Sequence, residues 1–485
     1  MASRAVARLR RSHHGRRVAT PKLTHVAAPK LTLVPKIPTS RDERYAAGKA
    51  LRQRVPREQH GEWKPSRKRR DPVELVIESS QGRIPDLIPI RYGRMMVSPF
   101  TFYRGTANIM AADLASTPVT GLQAQLCGDA HLLNFGGFAT PERRLLLDIN
   151  DLDETLPGPW EWDLKRLAAS FVFAARSNGF SPADQTEAAL ACVRSYREHM
   201  AEYADMPVLE VWYARLQFTD IMTSLHDKAT RGRLKKQIRK AAARTVAEHE
   251  FPKLVEAHGG DFAIKDAPPL IYHHPHVNAS RENLEKGLAQ YRDSLPPERR
   301  VLLDRYQLMD FALKVVGVGS VGTLCAIALM MAGDDDPLFL QIKEAGPSVL
   351  EAHLSKSRYA NHGQRVVAGQ HLMQFASDIF LGWTQGEAGR HFYIRQLRDM
   401  KIKPLVELFN TATMLDYAMM CGWTLARAHA RSGDPAMMAG YMGKSDVFDK
   451  AIAAFSKTYA DQAERDHAAF KNAIRQGRIE AEAES

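Results

Sequence analysis

The sequence predicts an α+β protein, and three observations carry that expectation. Apolar residues recur at helical spacing through much of 98–257 and again over 404–485. Between 310 and 400 the pattern turns strand-like, in short runs at 314–319, 338–343, 378–383 and 391–397. The composition, 45% apolar and 25% charged over 485 residues, is that of an ordinary globular chain and excludes wholesale disorder, collagen-like repeats or a disulfide scaffold. The four cysteines (Cys127, Cys192, Cys325, Cys421) stand far apart with no C-x-x-C pair, which argues against structural zinc and suits a reducing compartment.

The net charge of +12 divides unevenly. Residues 1–70 hold 20 basic and 4 acidic side chains, a net of +16, which leaves the remainder at −4. This stretch is expected to be a solvated, disordered arm, with Arg67-Lys68-Arg69-Arg70 as the patch for weak contact with nucleic acid or an anionic surface. No apolar run follows its first arginines, so no secretory leader is expected and the chain is assigned to the cytoplasm. Three further divisions follow: a helical lobe over 71–300, a β-rich lobe over 301–403, and a helical segment over 404–485 that packs on the first lobe.

Ordered structure is expected to begin near Asp71. Ser98-Pro99-Phe100 opens a helix over 102–115, and a strand over 123–126 runs into Cys127–Asn134. A second strand over 144–147 ends among Asp148, Asp151, Asp153 and Glu154. After the break at Pro157-Gly158-Pro159, Leu164, Leu167, Ala168, Phe171, Val172 and Ala175 lie at helical spacing. Residues 183–257 are expected to be helical, with Lys235, Lys236, Arg239, Lys240 and Arg244 on a solvated face. The loop-rich stretch 258–300 contains His273, His274 and His276, but no helical ligand pair or nearby cysteine supports a metal site. Residues 315–332 carry no charge over 18 positions. Gly317, Gly319 and Gly322 interrupt them, so a buried glycine turn is expected rather than a membrane span.

The densest polar cluster lies between Cys127 and Asp163. Asp129, His131 and Asn134 precede a strand that ends in carboxylates, and oxygen ligands without cysteine suit magnesium. One aspartate left over, five residues before the asparagine, is placed to take or orient a hydroxyl proton. Oriented hydroxyl, metal and charge neutralisation are the needs of phosphoryl transfer.

Gly128-Asp129-x-His131-x-x-Asn134 resembles the G-D-x-H-x-x-N catalytic loop of aminoglycoside and choline kinases, a branch of the protein-kinase-like fold. The resemblance implies Asp129 as base or hydroxyl-orienting residue, His131 as a brace and Asn134 as a metal ligand. It further implies a metal-binding aspartate after the strand (Asp151, with Asp148 as rival and Asp153 assisting), and Asp163 holding the loop from the start of its helix. Cys127 stands where that family has histidine. Over nearly all of 71–475 the chain also resembles an uncharacterised bacterial family, domain of unknown function twenty-two fifty-two, on the segments 98–105, 127–136, 148–164 and 426–434.

A kinase needs a glycine loop, a strand lysine and a carboxylate to hold that lysine. No lysine occurs between Lys68 and Lys165, but the parts reappear downstream: Gly317-Val318-Gly319-Ser320-Val321-Gly322, then Lys343 ending a strand, with Glu351 as its expected partner. The resulting expectation is a bilobal, circularly permuted kinase-like fold, using ATP and Mg2+ on a small hydroxylated acceptor. Two alternatives stand beside it. One is a non-catalytic, pseudokinase-like nucleotide-binding module. The other is a dinucleotide-binding oxidoreductase in which 315–344 forms a β-α-β unit, with helix over 323–331.

Overall fold

The computed structural model describes residues 40–482 apart from 225–227, 243–250, 259–260, 274–280, 334–335 and 398–399. The helical body is built around Trp160–Ser177, nearly all of whose residues are buried. Pro182–Asp205, Thr411–Ala430 and Val447–Arg475 enclose it. Small residues set the spacing. A side chain on Gly422 would place its Cβ 2.1 Å from the Cys192 carbonyl oxygen, so only glycine lets the Thr411–Ala430 and Pro182–Asp205 helices cross this closely.

Two small sheets lie against this body. Strands β1 (Gln123–Leu126) and β4 (Leu156–Pro159) pair antiparallel, while β2 (Phe135–Ala139), β3 (Leu145–Ile149) and β5 (Leu216–Gln217) follow the order β2-β3-β5. A larger antiparallel sheet has the order β12-β13-β11-β10-β9-β8, from β8 (Ile271–Tyr272), β9 (Gln307–Lys314), β10 (Cys325–Met331), β11 (Pro337–Glu344), β12 (Gly382–Gln385) and β13 (His391–Gln396). Along β10 the faces alternate. Ile327, Leu329 and Met331 join one apolar cluster with the hairpin of β6 (Val255–His258) and β7 (Asp261–Ile264), and Ala328 and Met330 join another with Tyr291, Leu295 and Leu303. Burial on both faces explains why the β10 sequence is apolar without interruption. Among the described residues, no helix is long and apolar enough to cross a membrane.

The expected α+β class holds. The expected strands at 338–343 and 391–397 are present, whereas 314–319 begins where β9 ends and 378–383 only reaches the start of β12. The helix expected over 102–115 is two helices, Pro99–Gly105 and Ala107–Leu114, broken at Thr106 with φ −128° and ψ 44°. Lys235, Lys236, Arg239 and Lys240 are exposed on Lys228–Ala242, as expected; Arg244, His274 and His276 lie outside the described residues. His273 sits between Asp266 (2.8 Å) and Asp310 (3.1 Å).

The expected boundary near Asp71 is wrong. Helix Arg41–Ala50 is closed by a Ser40–Glu43 capping box and docks on Pro435–Met442 through reciprocal glycine contacts, Gly48 against Met437 and Gly440 against Tyr45. Arg52 then donates to the Tyr441 carbonyl (2.8 Å), His60 bonds the Tyr441 hydroxyl (2.8 Å), and Trp63 is buried against Phe455 and Tyr459. Arg69 bridges Asp113 (2.7 Å) and Asp466 (2.6 Å). Arg52, Arg57 and Arg69 are therefore ligands for the carbonyls at a helix end and for buried carboxylates, a use that charge counting alone does not reveal. Residues 1–39 lie outside the described residues.

Candidate active site

Strand β1 delivers the chain into Cys127-Gly128-Asp129 at the N-terminus of Trp160–Ser177. Asp163, in the first turn of that helix, accepts the backbone N–H of Cys127 (2.5 Å) and of Gly128 (2.9 Å), with His429 Nε2 at 3.3 Å. A carboxylate buried with two N–H donors clamps a backbone turn firmly. Gly128 is obligatory here: φ is +82°, and a Cβ would lie 2.4 Å from the Glu154 carbonyl oxygen. Further along, Ser170 accepts the Leu132 N–H (3.0 Å), and the Tyr417 hydroxyl reaches the carbonyls of Leu132 (2.8 Å) and Phe135 (2.9 Å).

This clamp presents three side chains. Asp129, which lines the cavity, receives Arg166 on Oδ1, Nε at 2.7 Å and Nη2 at 2.5 Å, leaving Oδ2 outside that ion pair. Asn134 donates Nδ2 to the Asp129 carbonyl (2.8 Å), which keeps Oδ1 as its remaining oxygen donor. His131 is buried beside Asp129, its Nε2 3.9 Å from Oδ2, and burial lowers its pKa to about 3, so the ring is a neutral brace.

Past β3, the carboxylates separate. Asp151 and Asp153 face Lys343 on β11, whose Nζ donates to Asp153 Oδ2 at 2.6 Å and lies 3.7 Å from Asp151 Oδ2. The Tyr393 hydroxyl donates to Asp153 Oδ1 at 2.5 Å. Burial disfavours both charges, but Lys343 outweighs it at Asp153 and holds that carboxyl down. Asp151, burdened by burial and by its neighbour's charge, is pushed up.

Asp148 does not join them. It is buried against Arg427, accepts the Phe375 N–H (2.8 Å), and belongs to the interior, so the expected rival ligand is a structural ion pair. Glu351 is also elsewhere than expected: it closes a capping box with Ser348, and the residue 2.6 Å from Lys343 is Asp153. A gap of eight residues after Lys343 spans only a turn and a short 3-10 segment, too little chain to return to the lysine.

The turn Gly317–Gly322 joins β9 to β10. Gly317 and Gly322 have φ of +68° and +86°; Arg94 donates to the Gly317 carbonyl (2.5 Å), Arg83 to that of Val321, and the Ile84 N–H to that of Gly322 (2.8 Å). The chain leaves this turn as strand β10. The helix required over 323–331 by a dinucleotide-binding β-α-β unit is therefore absent.

One cavity of about 430 Å³ collects these parts: Asp129, His131, Asn134, Asp151 and Asp153 on one side, Gly317 and Gly319 on another. Lys343 lies behind Asp153. Arg83, Arg91 and Arg104 complete the lining and escaped the sequence argument, although Arg104 falls inside the segment 98–105. Arg166 was missed as well; its signal was its position one helical turn after Asp163. Among the described residues, no three His, Cys, Asp or Glu side chains group as a metal cage.

A family model described as an uncharacterized protein conserved in bacteria (DUF2252) matches residues 83–473. The chain belongs to the DUF2252 family. No curated protein and no solved structure matches it. The match spans the clamped loop, the Lys343 carboxylates and the glycine turn, so the cavity lies inside the DUF2252 region except for Ser79, Gln81 and Gly82.

Proposed function

We propose that this DUF2252 chain is an ATP- and magnesium-dependent phosphotransferase of permuted kinase-like architecture, acting on a small hydroxylated molecule. The observation that carries the proposal is the convergence, in one cavity, of the Asp129–Asn134 loop, the Asp151 and Asp153 carboxylates backed by Lys343, and the glycine turn. A kinase small lobe sets its glycine loop before the strand lysine and follows that strand with a helix. Here β9, the glycine turn, β10 and Lys343 on β11 follow that order, with helix His362–Met373 between β11 and β12. That helix carries no acidic residue. It is tied to the aspartate loop instead by Arg365, which donates to the carbonyls of Asp153 (2.8 Å) and Thr155 (2.7 Å).

The donor set fits magnesium. Asn134 and the part-exposed Asp151 offer oxygen only, with Asp153 adjacent, and so few protein ligands suit an ion that keeps water and phosphate oxygens. When bound, the ion supplies charge neutralisation at phosphate oxygens. The chain's own residues do the rest. Asp129 Oδ2 accepts the acceptor's hydroxyl proton as that oxygen bonds to the terminal phosphorus; the bond from phosphorus to the bridging oxygen breaks, and ADP leaves. Arg166 and Asn134 hold Asp129 in place, Lys343 balances the aspartates, and the glycine-turn amides cover the phosphates.

The test separates binding from transfer. Calorimetry and a trapped-nucleotide mass measurement on the purified chain should detect ATP with magnesium. Asp129→Asn should keep that binding and lose transfer in a small-molecule phosphorylation screen, whereas Asp151→Asn should lose metal-dependent turnover with the fold intact. Normal turnover by both variants would sink the proposal.

A further inference from the structure

The cavity has a wall that phosphoryl transfer at Asp129 does not use. It comes from residues 79–108 and includes Arg83, Arg91 and Arg104. Arg91 is fully buried and donates only to uncharged acceptors: Ser80 Oγ (2.7 Å), Ser79 Oγ (3.0 Å) and the Gly105 carbonyl (3.1 Å). Arg83 donates to the carbonyls of Ser79 and Val321. The Nε atoms of Arg91 and Arg104 are buried without a hydrogen-bond partner. Among the described residues, none of the three pairs with a carboxylate.

The facing wall is built differently. Asp129 has Arg166, Asp153 has Lys343, and Glu344 has Arg390 at 3.0 Å. Glu154, in the same lining, accepts the Val349 N–H instead (2.7 Å); Glu154 and Glu344 attract Arg83 and Asp129 attracts Arg104, but none of these acids forms an ion pair with the arginines opposite. Burying a guanidinium without an ion-paired anion is costly, and at Arg91 the Arg83 charge adds repulsion to that cost. Burial accordingly holds all three below the ordinary arginine range, Arg91 at about 9 with the Arg83 charge adding to the effect. Arginine's planar donors match tetrahedral oxyanions, and the neighbouring Ser79, Gln81 and Asn108 offer uncharged polar groups at the same rim.

We propose that Arg83, Arg91 and Arg104 form an oxyanion-binding wall that takes a phosphate group of the molecule entering the cavity opposite Asp129. The phosphate chain of a nucleotide and a phosphate carried by the acceptor present the same chemistry to this wall. Either one supplies the missing counter-ion, and the wall stands whether or not transfer occurs at Asp129.

Melting of the full chain with inorganic phosphate and with pyrophosphate, alone and with Arg104→Gln, tests the proposal. Phosphate should raise the melting temperature of the unaltered chain. Arg104→Gln should melt no lower than the parent without phosphate, since it removes a largely buried charge that forms no ion pair. It should also lose most of the phosphate-induced rise and bind pyrophosphate at least about tenfold more weakly in calorimetry, the scale of one charge-assisted hydrogen bond. Asp129→Asn should keep the phosphate response, so the wall and the transfer proposal fail separately. Competition between pyrophosphate and magnesium–ATP would assign the wall to the nucleotide's phosphates, and simultaneous binding would assign it to the acceptor's. An unchanged phosphate response in Arg104→Gln overturns the proposal. So does melting several degrees lower without phosphate, which would make Arg104 a structural residue.

Discussion

The floor and the roof of the cavity both bend through left-handed glycines, yet they are fastened in opposite ways. On the floor, Gly128 has φ +82° and its loop is bonded by Asp163, Ser170 and Tyr417, all on helices of the buried body. On the roof, Gly317 has φ +68°; its own end of the turn hangs from the Arg94 side chain, while the far end is held by Arg83, the Ile84 N–H and the buried Val321. A Cβ at Gly128 would meet the Glu154 carbonyl at 2.4 Å; one at Gly317 would meet nothing within 4 Å. The floor is thus over-determined and sets the positions of Asp129 and Asn134, while the Gly317 end of the roof has room to adjust to what lies beneath it.

The largest expected effect comes from unfastening the floor. Asp163→Ala strands two buried N–H donors, and at about 2 kcal/mol each the loss of stability is on the order of 4 kcal/mol in urea unfolding. Gly128→Ala follows closely, at about 3 kcal/mol, because left-handed backbone strain adds to displacement of the Glu154 carbonyl. A Gly128→Ala variant as stable as the parent would mean that the floor is not rigid.

Lys343 joins the two regions, since it sits on the sheet that carries the roof and bonds the aspartates of the floor. Lys343→Ala should weaken magnesium-dependent ATP binding, because it unbalances the Asp151 and Asp153 carboxylates that line the cavity. It should also destabilise the chain, because the half-buried Asp153 loses its cation and keeps the Tyr393 hydroxyl beside the Asp151 carboxyl. Calorimetry giving an unchanged ATP affinity would detach the sheet from the floor and leave the glycine turn without a nucleotide role.

The difference between floor and roof also accounts for what was legible in the sequence. The floor is local: Gly128, Asp129, His131 and Asn134 fall within seven residues, and Asp163 opens the next long helix, so spacing alone groups them. The six-stranded sheet was visible in part, at β11 and β13, whereas β10 was not among the expected strand runs and β9 alternates with exposed residues, so its bounds were missed. Asp148 and Asp151 looked equivalent on paper. What separates them is Arg427, 279 residues away, which neutralises the first and leaves the second facing Lys343. The packing of residues 40–70 was hidden for the same reason, since Gly48 meets Met437 and Arg69 meets Asp466 only after the chain has folded back. Pairings of this kind are decided by tertiary contact, and charge counting assigns such arginines to solvent.

The smallest expected effect sharpens the comparison most. Gly317→Ala faces no steric obstacle, so its cost is the left-handed backbone alone, about 1–2 kcal/mol. Its carbonyl bond from Arg94 need not be lost, because the substitution adds a methyl group on the open side of the turn. Urea unfolding should therefore show a modest loss, clearly below that of Gly128→Ala, although the two residues share nearly the same φ. Equal losses at the two positions would show that backbone conformation, not fastening, governs both loops. A roof as rigid as the floor would then have to be preformed around its ligand rather than adjust to it.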